Sequence, residues 1–204
     1  MTVSGRTALN SSARLAAVLA GTLLAGCSLL PKHSPEGERQ WQARRADLER
    51  IERFTLQGRV AAGLFGGSGT VHWRQDGARY DLRLSAPGGT QAVRIQGDDR
   101  RAEVRTPQER WTTDQPEALL RERLGLALPL AQLRHWVLGR PAPGSEASLE
   151  LDESGHITAL EQDGWELEIA EYMDAGARQL PRRLRLEGPE VTLKLVVDAW
   201  TDLP

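Results

Sequence analysis

Few of the residues that could act in catalysis or bind a metal ion have the sequence spacing that such sites require. The chain of 204 residues has one cysteine, Cys27, and four histidines that lie far apart, His33, His72, His135 and His156. No metal site is expected, because zinc sites need several Cys or His ligands at short spacings. Most carboxylates fall on the polar faces of predicted strands and helices, where charge needs no catalytic explanation. The sequence therefore offers no catalytic residue and disfavours an enzyme.

The glycine cluster at residues 63–69 is the other feature that could suggest chemistry. It matches neither a phosphate-binding loop nor a dinucleotide fingerprint, since no lysine follows and no helix begins there. Ser68 does not lie in a Gly-x-Ser-x-Gly elbow. The cluster sits between two predicted strands, which favours a hairpin connection.

The chemistry expected of Cys27 depends on what precedes it. Arg6 and Arg14 lead into an apolar run at residues 15–24, and Leu24-Ala25-Gly26-Cys27 ends it. This layout is typical of a secretory signal, and the run is shorter than the about 20 residues of a membrane span. The four residues also resemble the lipobox of bacterial lipoproteins. That resemblance implies that Cys27 begins the mature chain and carries an S-diacylglycerol and an N-acyl group; the alternative is an ordinary signal followed by a chance cysteine.

Composition limits the classes of partner. Removing residues 1–26, which hold two arginines and no acids, takes the net charge from −2 to −4. No nucleic-acid partner is expected, because phosphate binding needs a basic patch. A lone cysteine forms no intrachain disulfide, so the core must hold the fold. We expect a signal at residues 1–26, a tether at 27–38 with Pro31, Pro35 and Gly37, and a single domain at 39–204.

Hydrophobic periodicity predicts a mainly β domain interrupted by helices. Alternation of apolar and polar residues predicts about ten or eleven strands, including residues 54–62, 70–75, 80–85, 93–96, 101–105, 149–151, 165–170, 184–186 and 191–197. Helical spacing predicts a surface helix at 38–52, a helix from a capping box at Asp114 to a stop at Gly125, and a helix opened by Pro129. A sheet of so many strands tends to curl or close, and periodicity leaves open whether its interior is filled or hollow.

Tryptophan is the unusual component, with six of the ten aromatic residues. Buried tryptophans can fill a core, or they can line a pocket for flexible apolar ligands. The sequence alone favours the core.

The order and spacing of many short motifs resemble the LolB family of outer-membrane lipoproteins over nearly the whole mature chain. The matching residues are Trp41, Gly58-Arg59, His72-Trp73, Gln75, Tyr80-Asp81-Leu82-Arg83-Leu84, Ala86-Pro87-Gly88-Gly89, Leu128-Pro129-Leu130, Leu133, His135-Trp136, Leu138-Gly139, Gln162, Gly164-Trp165, Leu180-Pro181, residues 193–197, Asp198 and Trp200.

The resemblance implies an unclosed antiparallel β-barrel with a helical cap and a hydrophobic cavity. It implies a protein anchored in the outer membrane and facing the periplasm, which accepts acylated lipoproteins from the carrier LolA and inserts them into the membrane without a nucleotide or other cofactor. A monomer is expected. In this interpretation the acyl cavity is lined by Leu82, Leu84, Val93, Ile95, Trp136 and Trp165.

One position departs from the family pattern. The loop Pro87-Gly88-Gly89 corresponds to a protruding, membrane-facing loop in which the family usually has a bulky apolar residue, and here that position is Gly88. Since a glycine tip buries almost no apolar area, we expect weak lipid contact there, or a plain turn. Two rival functional interpretations stay open. The first is an envelope-assembly scaffold with a filled core and a protein partner, and the second is a cell-wall or lipid hydrolase, for which no sequence motif supplies the catalytic residues.

Overall fold

The computed structural model of the chain describes residues 35–62, 67–86, 88, 91–125 and 127–204. The expectations for Cys27, Pro87 and Gly89 lie outside the described residues. The described part contains eleven strands and three helices, as the sequence predicts. The helices are α1 (Pro35–Leu48), α2 (Pro116–Leu124) and α3 (Leu130–Trp136). The strands are β1 (Arg53–Ala62), β2 (Gly67–Asp76), β3 (Arg79–Ser85), β4 (Gln91–Gly97), β5 (Ala102–Arg105), β6 (Arg110–Thr113), β7 (Ala147–Leu151), β8 (Ile157–Gln162), β9 (Trp165–Ala175), β10 (Arg178–Glu187) and β11 (Thr192–Thr201).

All eleven strands form one antiparallel sheet in the order β6-β5-β4-β3-β2-β1-β11-β10-β9-β8-β7. Consecutive strands pair with each other except β6 and β7, and β11 also returns to pair with β1 and joins the two halves. The edge strands β6 and β7 do not pair with each other, so the sheet is unclosed, which confirms the predicted fold class.

The period-two pattern places one apolar row on a single face of the sheet. Across β1 to β5 the register aligns Leu56, Trp73, Leu82, Ile95 and Val104, all of which are buried. Helices α2 and α3 and the segment between them contribute further buried side chains to the same cluster. The hydrophobic core therefore lies between one face of the sheet and the helical cap.

The joint between the two halves of the sheet depends on a glycine. At Gly58 the register of β1 against β11 shifts by one residue. A Cβ atom at Gly58 would lie 2.3 Å from the carbonyl oxygen of Val196, so a side chain cannot be accommodated there without moving the backbone. The absence of a side chain thus allows the strands to approach closely.

Helix α1 is displaced along the sequence from its predicted position. It begins at Pro35 and takes in residues 35–38, which the sequence analysis assigned to the tether. Proline is tolerated in the first turn of a helix, because the first N–H groups have no partner within the helix. The helix ends at Leu48, and Ile51 is buried beyond its end. Trp41 and Leu48 are also buried, which confirms a helix packed on the domain.

The predicted capping box at the start of α2 is wrong. Gln115 occupies the cap position with no side-chain hydrogen bond, and Pro116 begins the helix. The backbone of Gln115 is not in the conformation that capping requires, so Asp114 and Glu117 do not form the reciprocal pair. Gly125 ends the helix in the left-handed region at φ +61°, as predicted, and α3 begins directly after Pro129. None of the helices described here is long and apolar enough to cross a membrane.

Candidate functional site

A small apolar cavity lies between the core face of the sheet and the helical cap. Its volume is about 40 Å³, and its walls expose no polar surface. The sheet contributes Leu56, Val60, Val71, Trp73, Leu82, Leu84, Leu193 and Leu195, and the cap contributes Leu128, Leu133 and Val137. The cavity therefore marks the seam along which sheet and cap meet.

The size of this cavity decides what it can hold as it stands. A cavity needs roughly 10–15 Å³ of this kind of space for each water, and a water also needs polar partners. The cavity has room for only a few such spheres and offers no hydrogen bond, so it is dry. Pockets that hold drug-sized ligands are on the order of 300 Å³ or more. The interior is thus far more filled than the family resemblance implies, and an acyl chain fits only if the cap moves away from the sheet.

The six residues predicted to line an acyl cavity separate into different places. Leu82 and Leu84 form part of the cavity wall. Val93 and Ile95 lie opposite them on β4, in register with Leu84 and Leu82, and are buried in the same core without being among the wall residues. Their role towards a ligand stays a prediction.

Trp136 is fixed in the core by a polar contact that the sequence does not reveal. Its side chain is fully buried, and Nε1 donates a hydrogen bond of 2.8 Å to Gln162 Oε1. The same oxygen accepts the backbone N–H of Ala142 at 2.9 Å, and Gln162 Nε2 donates to the Ala142 carbonyl and to Ser145 Oγ. Gln162 is itself 2% exposed. It therefore ties the end of α3 and the segment after it to β8.

Trp165 packs at the rim of the same region. Its ring centroid lies 6.1 Å from that of Trp136, and the side chain is half-buried. The ring lies directly over Gly188, where an added Cβ would come within 2.6 Å of the indole. Trp136 and Trp165 thus act in packing here, and their contact with a ligand stays a prediction.

Beside the cavity lies an open cleft of about 640 Å³ between the cap and the start of β3. Trp73 and Leu82 belong to the walls of both spaces, so these two side chains separate the cleft from the dry cavity. The cleft is otherwise largely polar and includes Tyr80. Burial, followed by the nearby charges of Asp98 and Glu117, raises the pKa of Tyr80 to about 12. The shortest apolar route from the solvent into the cavity therefore passes Trp73 and Leu82.

A second cleft, of about 880 Å³, borders the first at the end of α3. It contains His135 and Ser145, but the two are not arranged as a base and a nucleophile. Ser145 Oγ accepts from Gln162 at 3.0 Å, and His135 Nε2 lies 3.3 Å from Arg134 Nε. Burial, with the charges of Arg140 and Arg134, lowers the pKa of His135 to about 4.

Other predicted sites are simpler to place. Gly88 is exposed with φ +91°, and an added Cβ would meet nothing within 4 Å, so the tip of this loop stands in open space. Within the described residues, no group of three or more His, Cys, Asp or Glu side chains is placed to hold a metal ion.

The unclosed antiparallel sheet, its apolar core face and the helical cap define a mainly β protein in which a single sheet covers one hydrophobic core. The family model described as "Outer membrane lipoprotein LolB" matches residues 52–200. The outer-membrane lipoprotein LolB of Pseudomonas aeruginosa strain LESB58 is 37% identical over 185 residues, covering 87% of this chain and 90% of that protein. The LolB of Ectopseudomonas mendocina strain ymp is 38% identical over 186 residues, covering 87% and 91%.

Among solved structures, a LolA superfamily protein from Nitrosomonas europaea aligns with a TM-score of 0.49 at 13% identity, covering 82% of this chain and 94% of that one. The sequence matches show that the chain belongs to the LolB family. Membership assigns the protein to the outer-membrane lipoproteins and to lipoprotein localisation, and the family is not an enzyme family.

Proposed function

We propose that this protein accepts acylated lipoproteins from a LolA-like periplasmic carrier and releases them into the outer membrane without a nucleotide. In this proposal Cys27 carries the acyl groups that hold the protein to the membrane, with the domain facing the periplasm. The observation that carries the proposal is the dry apolar cavity at the seam between sheet and cap, because a seam can open where a solid core cannot.

The physical need is to keep acyl chains out of water. Each buried methylene is worth about 0.8 kcal/mol, so the chains of one lipoprotein represent tens of kcal/mol of gross hydrophobic free energy. The hydrophobic effect is non-directional, so an apolar chamber shields any acyl chain without reading the cargo sequence. Transfer then follows affinity, with the acceptor holding the chain better than the carrier and the bilayer better still.

The seam has walls suited to this task. Its sheet side is leucine, valine and one tryptophan, and its cap side rests on the short helix α3 and the segment before it. Moving the cap outwards would enlarge the cavity between two surfaces that are already apolar. Trp73 and Leu82 would then contact the chain first, since they belong to the walls of both the cavity and the open cleft.

The test uses a non-acylated form that begins at Ser28 and a carrier preloaded with lipoprotein. The described domain begins at Pro35, so a form that starts at Ser28 keeps all of it. We expect cargo to move to it with no nucleotide present. Leu84→Asn should reduce the transfer, because it places an amide in the cavity wall. Val93→Asn is its control, because Val93 lies buried directly opposite Leu84 but outside the wall. Cargo that stays with the carrier would contradict the proposal.

A second function is favoured by one observation. The cavity of about 40 Å³ leaves the core almost filled, as in a scaffold that binds a protein partner rather than a lipid. A fluorescent fatty acid separates the two functions: the acceptor takes it up into the apolar seam, and the scaffold does not.

A further inference from the structure

The outer face of the sheet carries a row of arginines that the sequence pattern conceals. The strand register places Arg83, Arg94, Arg105 and Arg110 directly opposite one another across β3, β4, β5 and β6. Adjacent strands lie about 4.8 Å apart, so the row spans roughly 15 Å. We call these four residues the arginine row. They point away from the core, since the neighbouring positions Leu82, Ile95 and Val104 are buried on the other face.

This arrangement is unfavourable for folding by itself. Like charges directly opposite each other on adjacent strands destabilise a sheet. Two carboxylates offset part of the repulsion: Asp81 accepts from both Arg83 and Arg94 at 2.7 Å, and Glu103 pairs with Arg105 and lies 4.0 Å from Arg110. Four positive charges face two negative ones, so the row keeps a net charge of +2. An arrangement of like charges that destabilises the sheet and brings no gain in packing indicates a functional role.

The guanidinium groups remain accessible despite these pairs. The side chains of Arg83 and Arg110 are 46% and 62% exposed, and those of Arg94 and Arg105 are 28% and 35% exposed. A guanidinium has five N–H donors, and the pair with Asp81 uses only part of them. The remaining donors can bind phosphate oxygens, which arginine does with good geometry.

The other half of the outer face carries mixed charges. Strands β8 and β9 expose Glu161, Glu166 and Glu168 there, and β10 places Arg185 opposite Glu168. Arg182 and Arg183 of β10 pair with Glu171 of β9. An anionic surface would therefore be attracted to the arginine row more strongly than to this half.

The row lies near the end of the sheet that carries the exposed Gly88. Arg83 lies two residues before the end of β3, and Arg94 lies three residues after the start of β4. At about 3.4 Å per residue, both lie roughly 7–10 Å from the ends of their strands, and Gly88 lies three residues beyond Ser85. A membrane that meets this end of the sheet would therefore come near the arginine row.

We propose that the arginine row binds the anionic headgroups of a lipid bilayer. The partner is a bilayer because the protein belongs to a family of outer-membrane lipoproteins and because a glycine tip supplies no apolar anchor of its own. The proposal does not depend on acyl transfer, and it concerns a face of the sheet remote from the cavity.

The experiment measures co-sedimentation of the non-acylated form with vesicles of phosphatidylethanolamine and phosphatidylglycerol, against vesicles of phosphatidylcholine alone. We expect binding only to the anionic vesicles, weakened by salt. The double variant Arg83→Gln/Arg94→Gln should weaken it about tenfold, since each arginine at a membrane surface contributes substantially. The matched control is Arg182→Gln/Arg183→Gln. It removes two arginines of β10 that both pair with Glu171 of β9 on the outer face. It should change binding less than twofold.

Two further variants keep the test sharp if the first pair folds poorly. Arg83→Lys/Arg94→Lys keeps the charge and should retain most of the binding. Arg105→Gln/Arg110→Gln leaves the pairs of Asp81 intact and should weaken binding as the first pair does. Equal loss in the control pair, or equal binding to neutral vesicles, would overturn the proposal. The proposal would also be overturned if Arg83→Gln/Arg94→Gln bound vesicles as the wild type does but was no longer captured by immobilised polyglutamate. The row would then bind an acidic protein rather than a membrane.

Discussion

Arg134 Nη1 on α3 lies 3.0 Å from Asp99 Oδ1 in the turn between β4 and β5. This ion pair spans from the helical cap to the end of a sheet hairpin and borders both open clefts. On the other side of the cap, Arg121 of α2 lies 3.5 Å from Glu190, in the turn between β10 and β11. Each helix of the cap is thus held to a hairpin end by a partly exposed ion pair, and both pairs must release if the cap is to open.

Breaking the first pair should ease opening of the cap. Asp99→Asn is expected to accelerate uptake of a fluorescent fatty acid by roughly two- to fivefold, since exposed ion pairs are worth about 0.2–1 kcal/mol. Stopped-flow fluorescence measures the rate. Asp76→Asn is the matched control, because it removes a similarly exposed partner of Arg53 on strands away from the cap. If the two variants take up the probe at the same rate, the ion pair does not hold the cap.

Gln162 should be among the residues most sensitive to substitution. Gln162→Ala removes partners from Trp136 Nε1 and from both backbone groups of Ala142, all buried. An unsatisfied buried polar group costs about 1–3 kcal/mol, so we expect the free energy of unfolding to fall by roughly 3 kcal/mol. Urea unfolding followed by tryptophan fluorescence measures this change. Gln57→Ala, on the exposed face of β1, should change it by less than about 0.5 kcal/mol. A comparable small loss at Gln162 would show that the network is dispensable.

His135 should make the domain less stable in mild acid. Burial and two neighbouring arginines lower its folded pKa to about 4, below the about 6.5 of an unfolded chain. The unfolded state therefore takes up the proton first. The contribution of neutral His135 is fully present above pH 6.5 and is lost as the pH falls towards 4. After allowance for its partial exposure, the loss is about 1–2 kcal/mol. Urea unfolding at pH 7 and pH 4.5 should show this loss in the wild type and less of it in His135→Gln. In the wild type, NMR titration should give the low pKa for the histidine signal that is absent from the spectrum of His135→Gln. A pKa near 6.5 for that signal would contradict this prediction.

Asp81 should stabilise the sheet except in strong acid. Burial alone would raise its pKa, but the hydrogen bonds from Arg94 and Arg83 outweigh burial and lower the pKa to about 2. Its contribution is present above the unfolded pKa of about 3.9 and is lost as the pH falls through 2. We expect Asp81→Asn to lower the free energy of unfolding by about 1–2 kcal/mol at pH 7 and to approach the wild type below pH 2. A difference that stays constant between pH 7 and pH 2 would mean that charge is not the cause.

The sequence predicts the sheet better than the cap. Strict alternation at Tyr80 to Ser85 and at Trp165 to Ala170 gives both the strands and their buried face, because a period of two leaves only one arrangement with the apolar side inwards. The start of α2 is less determined, since Pro116 and Asp114 both suit the first turn of a helix and only the backbone conformation of Gln115 decides between them.

The site is harder to predict because it depends on register and on contacts between distant residues. Leu84 and Val93 have equal claims to an acyl cavity by pattern, and only the position of the cap against β3 separates them. The bond from Trp136 to Gln162 joins residues 26 positions apart with no local signal. The arginine row follows from the offset of each hairpin, which is known only once the strands are paired.

Quenching of Trp73 fluorescence by a brominated acyl chain tests whether the seam between sheet and cap receives acyl chains. Trp73 is the one tryptophan in the wall of the described cavity, so a chain bound in the seam must come into contact with it. We expect a brominated acyl peptide to quench part of the tryptophan emission of the non-acylated form. Trp73→Phe should still bind the peptide but lose that quenched part of the emission. Quenching that is absent, or that is unchanged in Trp73→Phe, would show that the seam between sheet and cap does not receive acyl chains.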